Sequence, residues 1–380
     1  MMASRREFLR FGAGIASVAF PLSSNVLTLK EAPASLVDEE NAPILLYSNE
    51  NAYGASLKVM ETIRAGIGGS NRYPRLRYRE LKERIAAYHK VAADRVLLGC
   101  GSTEILRMAA CAFLGKGMQL IHASPTFEAI EHYARTIDSQ IVGVPLTRSF
   151  AHDLERMLAT VTPSTTLVYI CNPNNPTASL TPRKDLETFI TKVPASTVVI
   201  VDEAYHHYAG SSAMYASFID HPMHDDKVIV ARTFSKVYGL AGLRLGYAVG
   251  SPKILERMNK FGTEDNINGV VTQAAFVALG DSEGVNNFIE HNANDRQEFF
   301  NQAMARALKP IDSHTNFVMM DTFHQADEII EQFRKHNIVI GRHFPPMDTY
   351  IRVSLGLPDE MQAFWRTWDL LPYPRNAMHH

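Results

Sequence analysis

One lysine of the chain lies among groups that suit it to bind a phosphorylated carbonyl compound. Lys236 is part of the segment Thr233–Gly246, and Arg244 follows it eight residues later. A lysine that forms an imine needs a neutral amine, which burial or a neighbouring cation provides. The hydroxyls of Thr233 and Ser235 and the guanidinium of Arg244 can bind phosphate oxygens. An exposed lysine and arginine in a glycine-containing loop would give the same pattern, so this segment alone leaves both interpretations open.

A glycine turn provides a second candidate phosphate-binding element. Residues Gly99–Glu104 end a short apolar strand and begin a helix. The first turn of a helix has unpaired N–H groups and the positive end of the helix dipole, and both favour a bound phosphate. Gly101, Ser102 and Thr103 are therefore candidate cofactor-binding residues. The alternative is an ordinary capped helix, because serine and threonine are also good N-caps.

Two polar motifs follow two further predicted strands. Asn172–Thr177 predicts a rigid turn, in which Asn175 is available to donate a hydrogen bond to a ligand oxygen. The bond between Asn175 and Pro176 is a candidate cis peptide. Asp202 ends the other strand, where a carboxylate can pair with a cationic ring nitrogen, and Tyr205 can reach a phenolate oxygen. Without a ligand, the same residues would form a turn and a helix cap.

These groups together predict a site for pyridoxal 5′-phosphate (PLP), with Lys236, Asp202 and Tyr205 as the catalytic candidates. The chain has an amine for the aldehyde, donors for the phosphate and a carboxylate for the ring nitrogen. Each group follows a predicted strand. Open α/β sheets bind ligands at the carboxyl ends of their strands, where such motifs converge.

The elements that must position these motifs alternate between strands and helices. Strands are predicted from Val96–Leu98 through Arg244–Val249, with helices such as Pro125–Thr136 between them. The continuous β-branched run Thr197–Val201 is typical of a buried parallel strand. The pattern predicts an α/β fold with a doubly wound, mainly parallel sheet. After about Phe261 it changes to that of a smaller α+β unit.

Composition places the chain among globular proteins and gives no indication of a nucleic-acid partner. Of its 380 residues, 46% are hydrophobic and 21% charged, enough for a large core and two domains. We predict an N-terminal arm over 35–65, a large PLP-binding domain over 66–280 and a small C-terminal domain over 281–375. The net charge of -2 and the lack of a basic stripe argue against nucleic-acid binding. Three cysteines without paired spacing predict free, buried thiols and no structural metal site.

The first 34 residues have the pattern of an export signal. Arg5 and Arg6 precede Phe8-Leu9 and a weakly apolar stretch, and Ala32–Ala34 matches a cleavage site. This pattern resembles a twin-arginine (Tat) signal, and it predicts a periplasmic or secreted protein. The alternative is a short basic amphipathic helix on a cytoplasmic protein. No apolar run beyond this stretch reaches the length of a membrane span.

The motifs, in this order, resemble those of the class I/II aminotransferases, which are PLP enzymes of fold type I. Within that superfamily the chain is most similar to the histidinol-phosphate aminotransferase family. The matching segments cover about residue 44 to the C-terminus. They are Asn49–Gly54, Arg72–Pro74, Cys171–Thr177, Val201–Tyr205, Arg232–Lys236 and Ala241–Arg244.

The resemblance implies a role for each matching residue. Lys236 would be the Schiff-base lysine and general base, Asp202 would bind the pyridine nitrogen, and Asn175 and Tyr205 would lie near the phenolate oxygen. Further cofactor-binding residues are implied at the phosphate and at the ring face. They are Gly101, Ser102, Thr103, Thr233, Ser235 and Arg244 at the phosphate, and Phe127 at the ring.

The resemblance also implies a homodimer and a substrate clamp. Tyr73 would reach the cofactor phosphate of the partner subunit. Arg352 would bind the substrate α-carboxylate, and Tyr53 and Arg342 are candidate walls of the substrate pocket. The reaction implied is transfer of an amino group from an amino acid, or an amine like histidinol phosphate, to a 2-oxo acid with ping-pong kinetics.

Two alternative functions stay open at this point. A lyase or decarboxylase, such as the threonine-phosphate decarboxylases, shares these motifs, and the sequence does not determine which α-carbon bond breaks. A non-catalytic PLP-binding protein is the other. The chain also departs from the family pattern, with Ala52 and Ala55 in place of prolines and Ala178 in place of a glycine. Histidine biosynthesis is cytoplasmic, so an export signal argues against histidinol phosphate as the natural substrate.

Overall fold

The computed structural model describes residues 42–223 and 226–372. The predicted export signal, residues 1–34, lies outside these described residues. The strands are β1 Ile44–Leu46, β2 Val96–Gly99, β3 Gln119–Ser124, β4 Gln140–Pro145, β5 Thr165–Cys171, β6 Val198–Asp202, β7 Val228–Thr233, β8 Gly246–Val249, β9 Lys309–Pro310, β10 Phe317–Asp321, β11 Ile338–Ile340 and β12 Tyr350–Ser354.

Helices cover most of the segments between the strands. They are α1 Leu57–Gly66, α2 Arg75–Tyr88, α3 Ser102–Phe113, α4 Ala129–Thr136, α5 Leu154–Ala159, α6 Arg183–Lys192, α7 His206–Ala209, α8 Pro252–Asn259, α9 Gly269–Ala278, α10 Ser282–Ala305, α11 Ala326–Lys335 and α12 Pro358–Leu370. None of these helices is both long and apolar enough to span a bilayer within the part of the chain that the structure describes.

Seven strands form the main sheet, in the order β2-β8-β7-β6-β5-β3-β4. The five strands from β7 to β4 pair in parallel, and β8 is antiparallel to both of its neighbours. The predicted fold class, a doubly wound and mainly parallel α/β sheet, is confirmed. Both faces of the sheet are covered, so β6 alternates between two apolar clusters, with Val199 in one and Ile200 in the other.

Two smaller sheets contain the strands of the C-terminal part of the chain. β12, β10 and β9 form an antiparallel sheet, and β1 pairs in parallel with β11. Their core contains the aromatic side chains of Phe299, Phe333 and Phe364. The pairing of β1 with β11 joins the start of the described chain to its C-terminal part, next to the strand that holds Arg352. The domain boundaries at residues 66, 281 and 375 stay predictions.

Two predicted elements begin later in the structure than expected, and one helix was missed. The helix predicted over Pro125–Thr136 begins only at Ala129, because Thr126 turns inward and its hydroxyl donates to the Asn174 side chain over 2.7 Å. The strand predicted from Arg244 begins at Gly246, since Arg244 has left-handed backbone with φ 56°. Helix α8 was not predicted. The three thiols are free, but only Cys171 is buried.

Candidate active site

A cavity of about 600 Å³ lies at the carboxyl ends of the central strands. Strands β5, β6 and β7 are neighbours in register, and they end at Cys171, Asp202 and Thr233. All three of these residues line the cavity. Because the carboxyl ends of parallel strands meet at one edge, the motifs that follow them are brought together. The cavity also contains predicted residues from other segments: Ser102, Thr103, Phe127, Asn175, Tyr205, Ser235, Lys236, Arg244, Arg342 and Arg352.

The Lys236 amine is buried and lies near two other cations. It donates hydrogen bonds to the carbonyl oxygens of Asn49 at 2.9 Å and Ser48 at 3.2 Å. Burial, then the positive charges of Arg352 and Arg244, lower the pKa of Lys236 to about 7. At neutral pH a large share of the amine is therefore unprotonated. That is the form that attacks a carbonyl carbon or removes a proton.

The Asp202 carboxyl is held in a fixed orientation at the end of β6. Its Oδ2 accepts a hydrogen bond from the Tyr169 hydroxyl over 2.9 Å, and its Oδ1 accepts one from the Ala204 N–H over 3.1 Å. Burial raises the pKa of Asp202 to about 6, and the hydrogen bonds oppose this effect. A cationic ring nitrogen at this point would favour the carboxylate, as the proposed pairing with a pyridine nitrogen requires.

A cradle for an anion forms where α3 begins. The Arg244 guanidinium lies 3.3 Å from the Thr103 hydroxyl and 3.5 Å from the Ser235 hydroxyl. Gly101 leaves space for the guanidinium, and Gly246 leaves space for the first residue of α3. A Cβ on Gly101 would lie 2.3 Å from the Arg244 guanidinium, and one on Gly246 would lie 2.3 Å from the Ser102 nitrogen. The N–H groups of the first turn of α3, the hydroxyls and the guanidinium together fit a phosphate.

Arg352, on β12, and Asn175, which follows β5, form a buried hydrogen-bonded pair in the same cavity. Arg352 donates to Asn175 Oδ1 and to the Tyr47 carbonyl, both over 2.6 Å. Because Asn175 uses its oxygen to accept, its amide nitrogen remains available as a donor. Burial lowers the pKa of Arg352 to about 10, so the guanidinium is cationic at neutral pH. The peptide bond between Asn175 and Pro176 is cis.

An ion pair and an aromatic ring form another wall of the cavity. Arg342 pairs with Glu128, the residue after Phe127, and its guanidinium lies 4.1 Å from the centre of the Phe344 ring. The guanidinium of Arg352 lies 4.6 Å from the centre of the same ring. Phe344 therefore contacts both arginines, which fits a cation–π arrangement. Phe127 lines the cavity, as its predicted place beside a planar ring requires.

Two of the predicted residues lie elsewhere. Tyr73 is 76% exposed, and it is not among the residues that line the cavity. Tyr53, predicted as a wall of the substrate pocket, instead stacks on His291 and donates its hydroxyl to Asp295 over 2.9 Å. The positive φ of Gly54 and the 2.9 Å hydrogen bond from its N–H to the Asn51 carbonyl belong to the turn that directs this side chain towards α10.

Several residues of the site were not predicted from the sequence. Tyr169 orients Asp202, but it lies within an apolar strand pattern that gives no sign of a polar role. The Asn49 carbonyl accepts a hydrogen bond from the Lys236 amine, and the Asn49 side chain donates one to the Tyr205 hydroxyl. In the sequence, only its place in the motif Asn49–Gly54 pointed to a role in the site. Glu203 and Arg232 form a buried ion pair directly beside Asp202 and Thr233 in sequence.

The arrangement fits PLP. It offers an amine of low pKa, a buried carboxyl and a cationic cradle that an added Cβ at Gly101 or Gly246 would fill. The same cavity contains two side chains, those of Asn175 and Tyr205, that can donate to a ring oxygen. No group of three or more histidine, cysteine or acidic side chains that could hold a metal ion occurs among the residues that the structure describes.

Comparison with known proteins identifies the family. A family model for aminotransferase class I and II matches residues 42–364. Histidinol-phosphate aminotransferase of Moorella thermoacetica is 34% identical over 325 residues, which are 85% of this chain and 84% of that protein. Histidinol-phosphate aminotransferase 1 of Cupriavidus pinatubonensis is 35% identical over 332 residues, 86% and 87% of the two chains.

A solved structure agrees with these relatives. Histidinol-phosphate aminotransferase from Sinorhizobium meliloti in complex with pyridoxal-5′-phosphate has a TM-score of 0.81 and 25% identity, covering 93% of this chain and 99% of that one. The fold and the site define a PLP-dependent enzyme of fold type I. The chain belongs to the aminotransferase class I and II family, and its cofactor is PLP.

Proposed function

We propose that this aminotransferase moves an amino group from an α-amino acid to a 2-oxo acid, with Lys236 as its base and Arg352 as its carboxylate clamp. The observation that carries the proposal is the buried Lys236 amine, with its pKa lowered to about 7, in the same cavity as Asp202 and Arg352. Wild-type protein loaded with PLP should yield pyridoxamine phosphate when an amino acid is added alone. Release of carbon dioxide or ammonia in its place would show a lyase.

Each residue has a defined task in this scheme. When bound, PLP supplies an aldehyde for the amino group and a protonated ring that accepts electron density from the α-carbon. Asp202 holds the ring-nitrogen proton, and the Arg244 cradle fixes the phosphate. Lys236 Nζ would take the proton from the substrate α-carbon. It would then return that proton to the carbon that carries the aldehyde in free PLP. Release of the first product before the 2-oxo acid binds predicts ping-pong kinetics.

Arg352 provides a test of the substrate class. Arg352→Gln should raise KM for an α-amino acid about 10- to 100-fold, because the substrate carboxylate would lose a charge-assisted pair of hydrogen bonds. A primary amine with neither a carboxylate nor a phosphate should be affected much less. The comparison uses kcat and KM for both substrates. Arg334→Gln is the matched control, since it makes the same replacement at an exposed position on α11 that pairs with Glu331 and does not line the cavity. Equal losses for the two substrates would contradict the clamp role.

The natural donor is proposed to carry an α-carboxylate. The relatives are named for histidinol phosphate, which lacks that group, and their names alone would suggest the same substrate here. The buried, cationic Arg352 in the cavity can bind the carboxylate of such a donor, but a guanidinium binds a phosphate equally well. The proposal therefore rests on the export signal at Arg5 and Arg6, which would separate the enzyme from cytoplasmic histidine biosynthesis. A screen of amino acids and of histidinol phosphate, monitored by the absorbance of the bound cofactor, would decide between these substrates.

We also propose that the enzyme is a homodimer in which Tyr73 reaches the partner's cofactor phosphate. Its support is the resemblance in the Arg72–Pro74 motif and the exposure of Tyr73, Ile67 and Leu76 on neighbouring segments. Sedimentation should give twice the chain mass of 42.4 kDa. Tyr73→Phe should weaken PLP affinity without changing that mass. A monomer with full PLP affinity would overturn this proposal.

Tat-dependent export is the third part of the proposal. It is supported by the paired Arg5 and Arg6 before Phe8-Leu9 and the following apolar stretch. The Tat route carries folded proteins, so PLP would be bound before export. Replacing both arginines by lysine should retain the protein in the cytoplasm, and cell fractionation would measure this. Equal periplasmic amounts of both forms would contradict the proposal.

A further inference from the structure

Asn49 links the cavity to the C-terminal part of the chain through several hydrogen bonds. It is a buried residue, only 2% exposed, and its backbone is left-handed with φ 54°. We propose that Asn49, braced by Ser354, is a positioning residue that fixes the Tyr205 hydroxyl as a hydrogen-bond donor towards the cofactor. This inference rests on the proposed function, in which Tyr205 lies beside the phenolate oxygen of PLP.

Ser354 determines which way the Asn49 amide points. The Ser354 hydroxyl accepts from the Asn49 N–H over 2.8 Å and donates to the Asn49 side-chain oxygen over 3.3 Å. With its oxygen occupied in this way, Asn49 presents its NH₂ group to the Tyr205 hydroxyl, 3.0 Å away. An amide in the opposite orientation would place its NH₂ group against the Ser354 hydroxyl and its oxygen against Tyr205.

The orientation of Asn49 determines the direction of the Tyr205 proton. The phenol oxygen accepts a hydrogen bond from Asn49, so the phenol's own hydrogen is free to be donated elsewhere. Tyr205 is buried and lines the cavity. Its hydroxyl is therefore constrained to donate into the cavity, and a carboxylate at position 49 would instead take that hydrogen.

Burial keeps the Tyr205 phenol neutral, and the charged and titratable groups around it have smaller effects of both signs. Burial raises the pKa of Tyr205 most, with Cys171 and Asp202 adding to the effect, while Asn49 and Arg352 oppose it. The Lys236 amine lies 5.4 Å from the centre of the Tyr205 ring. Because the pKa is raised, the hydroxyl keeps its hydrogen at neutral pH, and that hydrogen stabilises a negative oxygen on a ligand.

The backbone of Asn49 is fixed independently of its side chain. Asn316 donates through its amide nitrogen to the Asn49 carbonyl over 3.0 Å and to the Glu50 carbonyl over 2.9 Å. Asparagine and glycine are the residues that best tolerate left-handed backbone. Asn49→Gly should therefore keep the local backbone while removing the side-chain amide, and it is the variant that isolates the proposed role.

The experiment is a pH titration of the absorbance of PLP bound to the variants. A hydrogen bond donated to an oxygen stabilises its deprotonated form, so weakening that bond raises the apparent pKa of the bound cofactor. Tyr205→Phe, which removes the donor, should raise this pKa by about 1 to 2. Asn49→Gly should raise it by about 0.5 to 1, and Ser354→Ala should raise it in the same direction.

The double variant separates a positioning role from a general structural effect. If Asn49 acts through Tyr205, Asn49→Gly should change the pKa little further in a Tyr205→Phe background. Additive changes in the double variant, or an unchanged pKa in Asn49→Gly, would overturn the proposal. Failure of wild-type protein to form the cofactor absorbance would instead contradict the proposed function. If Asn49→Gly does not fold, Ser354→Ala in both backgrounds gives the same test.

Discussion

Replacement of Lys236 by alanine should abolish both turnover and the absorbance of lysine-bound PLP. The amine is the covalent partner of the cofactor and the base of the proposed reaction, and a positioned general base alone contributes about 10²- to 10⁴-fold. We therefore expect kcat to fall by at least that factor. The measurement is stopped-flow turnover with an amino acid donor, together with absorbance spectra of protein reconstituted with PLP.

A matched variant and a rescue experiment strengthen this test. Lys192→Ala removes an exposed lysine at the end of α6 and should leave turnover and absorbance unchanged. A small primary amine added to Lys236→Ala should restore part of the activity if proton transfer is the missing function. Retention of both the absorbance and turnover in Lys236→Ala would show that another group binds the cofactor.

Loss of Arg232 should have the largest effect on stability. Arg232 and Glu203 are both 1% exposed, and the guanidinium donates to Glu203 Oε2 over 2.9 Å and to the Ser217 hydroxyl over 2.6 Å. Arg232→Leu would leave the Glu203 carboxylate buried without its cation. Breaking such a pair costs about 3–5 kcal/mol of the free energy of unfolding. Denaturant unfolding of PLP-free protein would measure this loss.

The double variant Arg232→Leu/Glu203→Leu is the control for that prediction. Because it removes both charges, it should lose less than the sum of the two single variants. The remaining loss would report the Ser217 hydroxyl and the Phe218 N–H, which both donate to Glu203. Additive losses would mean that the two side chains do not depend on each other.

The strand-end motifs were predictable because their signals are local. The β-branched run before Asp202 predicts a buried strand, and the residues that follow such a strand lie at the carboxyl edge of the sheet. The lysine, the glycine turn and the asparagine turn needed only this rule to be placed together. The motifs were also specific enough to identify the family before any contact was known.

The remaining parts of the site depend on contacts between distant segments. Asn49 meets Ser354 across 305 residues of sequence, and Arg232 meets Glu203 across 29. The position of Tyr53 against α10 likewise follows from a turn that its sequence pattern does not predict. No periodicity in a single chain encodes such pairings. The Asp202 partner Tyr169 was missed for another reason, because a tyrosine in an apolar strand has the same pattern as a core residue.

The buried Lys236 amine also makes the folded chain a weaker proton acceptor than the unfolded chain. Burial first, and Arg352 next, lower its pKa from 10.5 to about 7. Between these pH values the unfolded chain holds a proton that the folded chain has released, so the free energy of unfolding of the PLP-free protein rises with pH. The destabilisation is complete below pH 7 and disappears above pH 10.5. Lys236→Met should remove this pH dependence of the free energy of unfolding. The residue that is proposed to carry the chemistry therefore destabilises the folded protein below pH 10.5 when PLP is not bound.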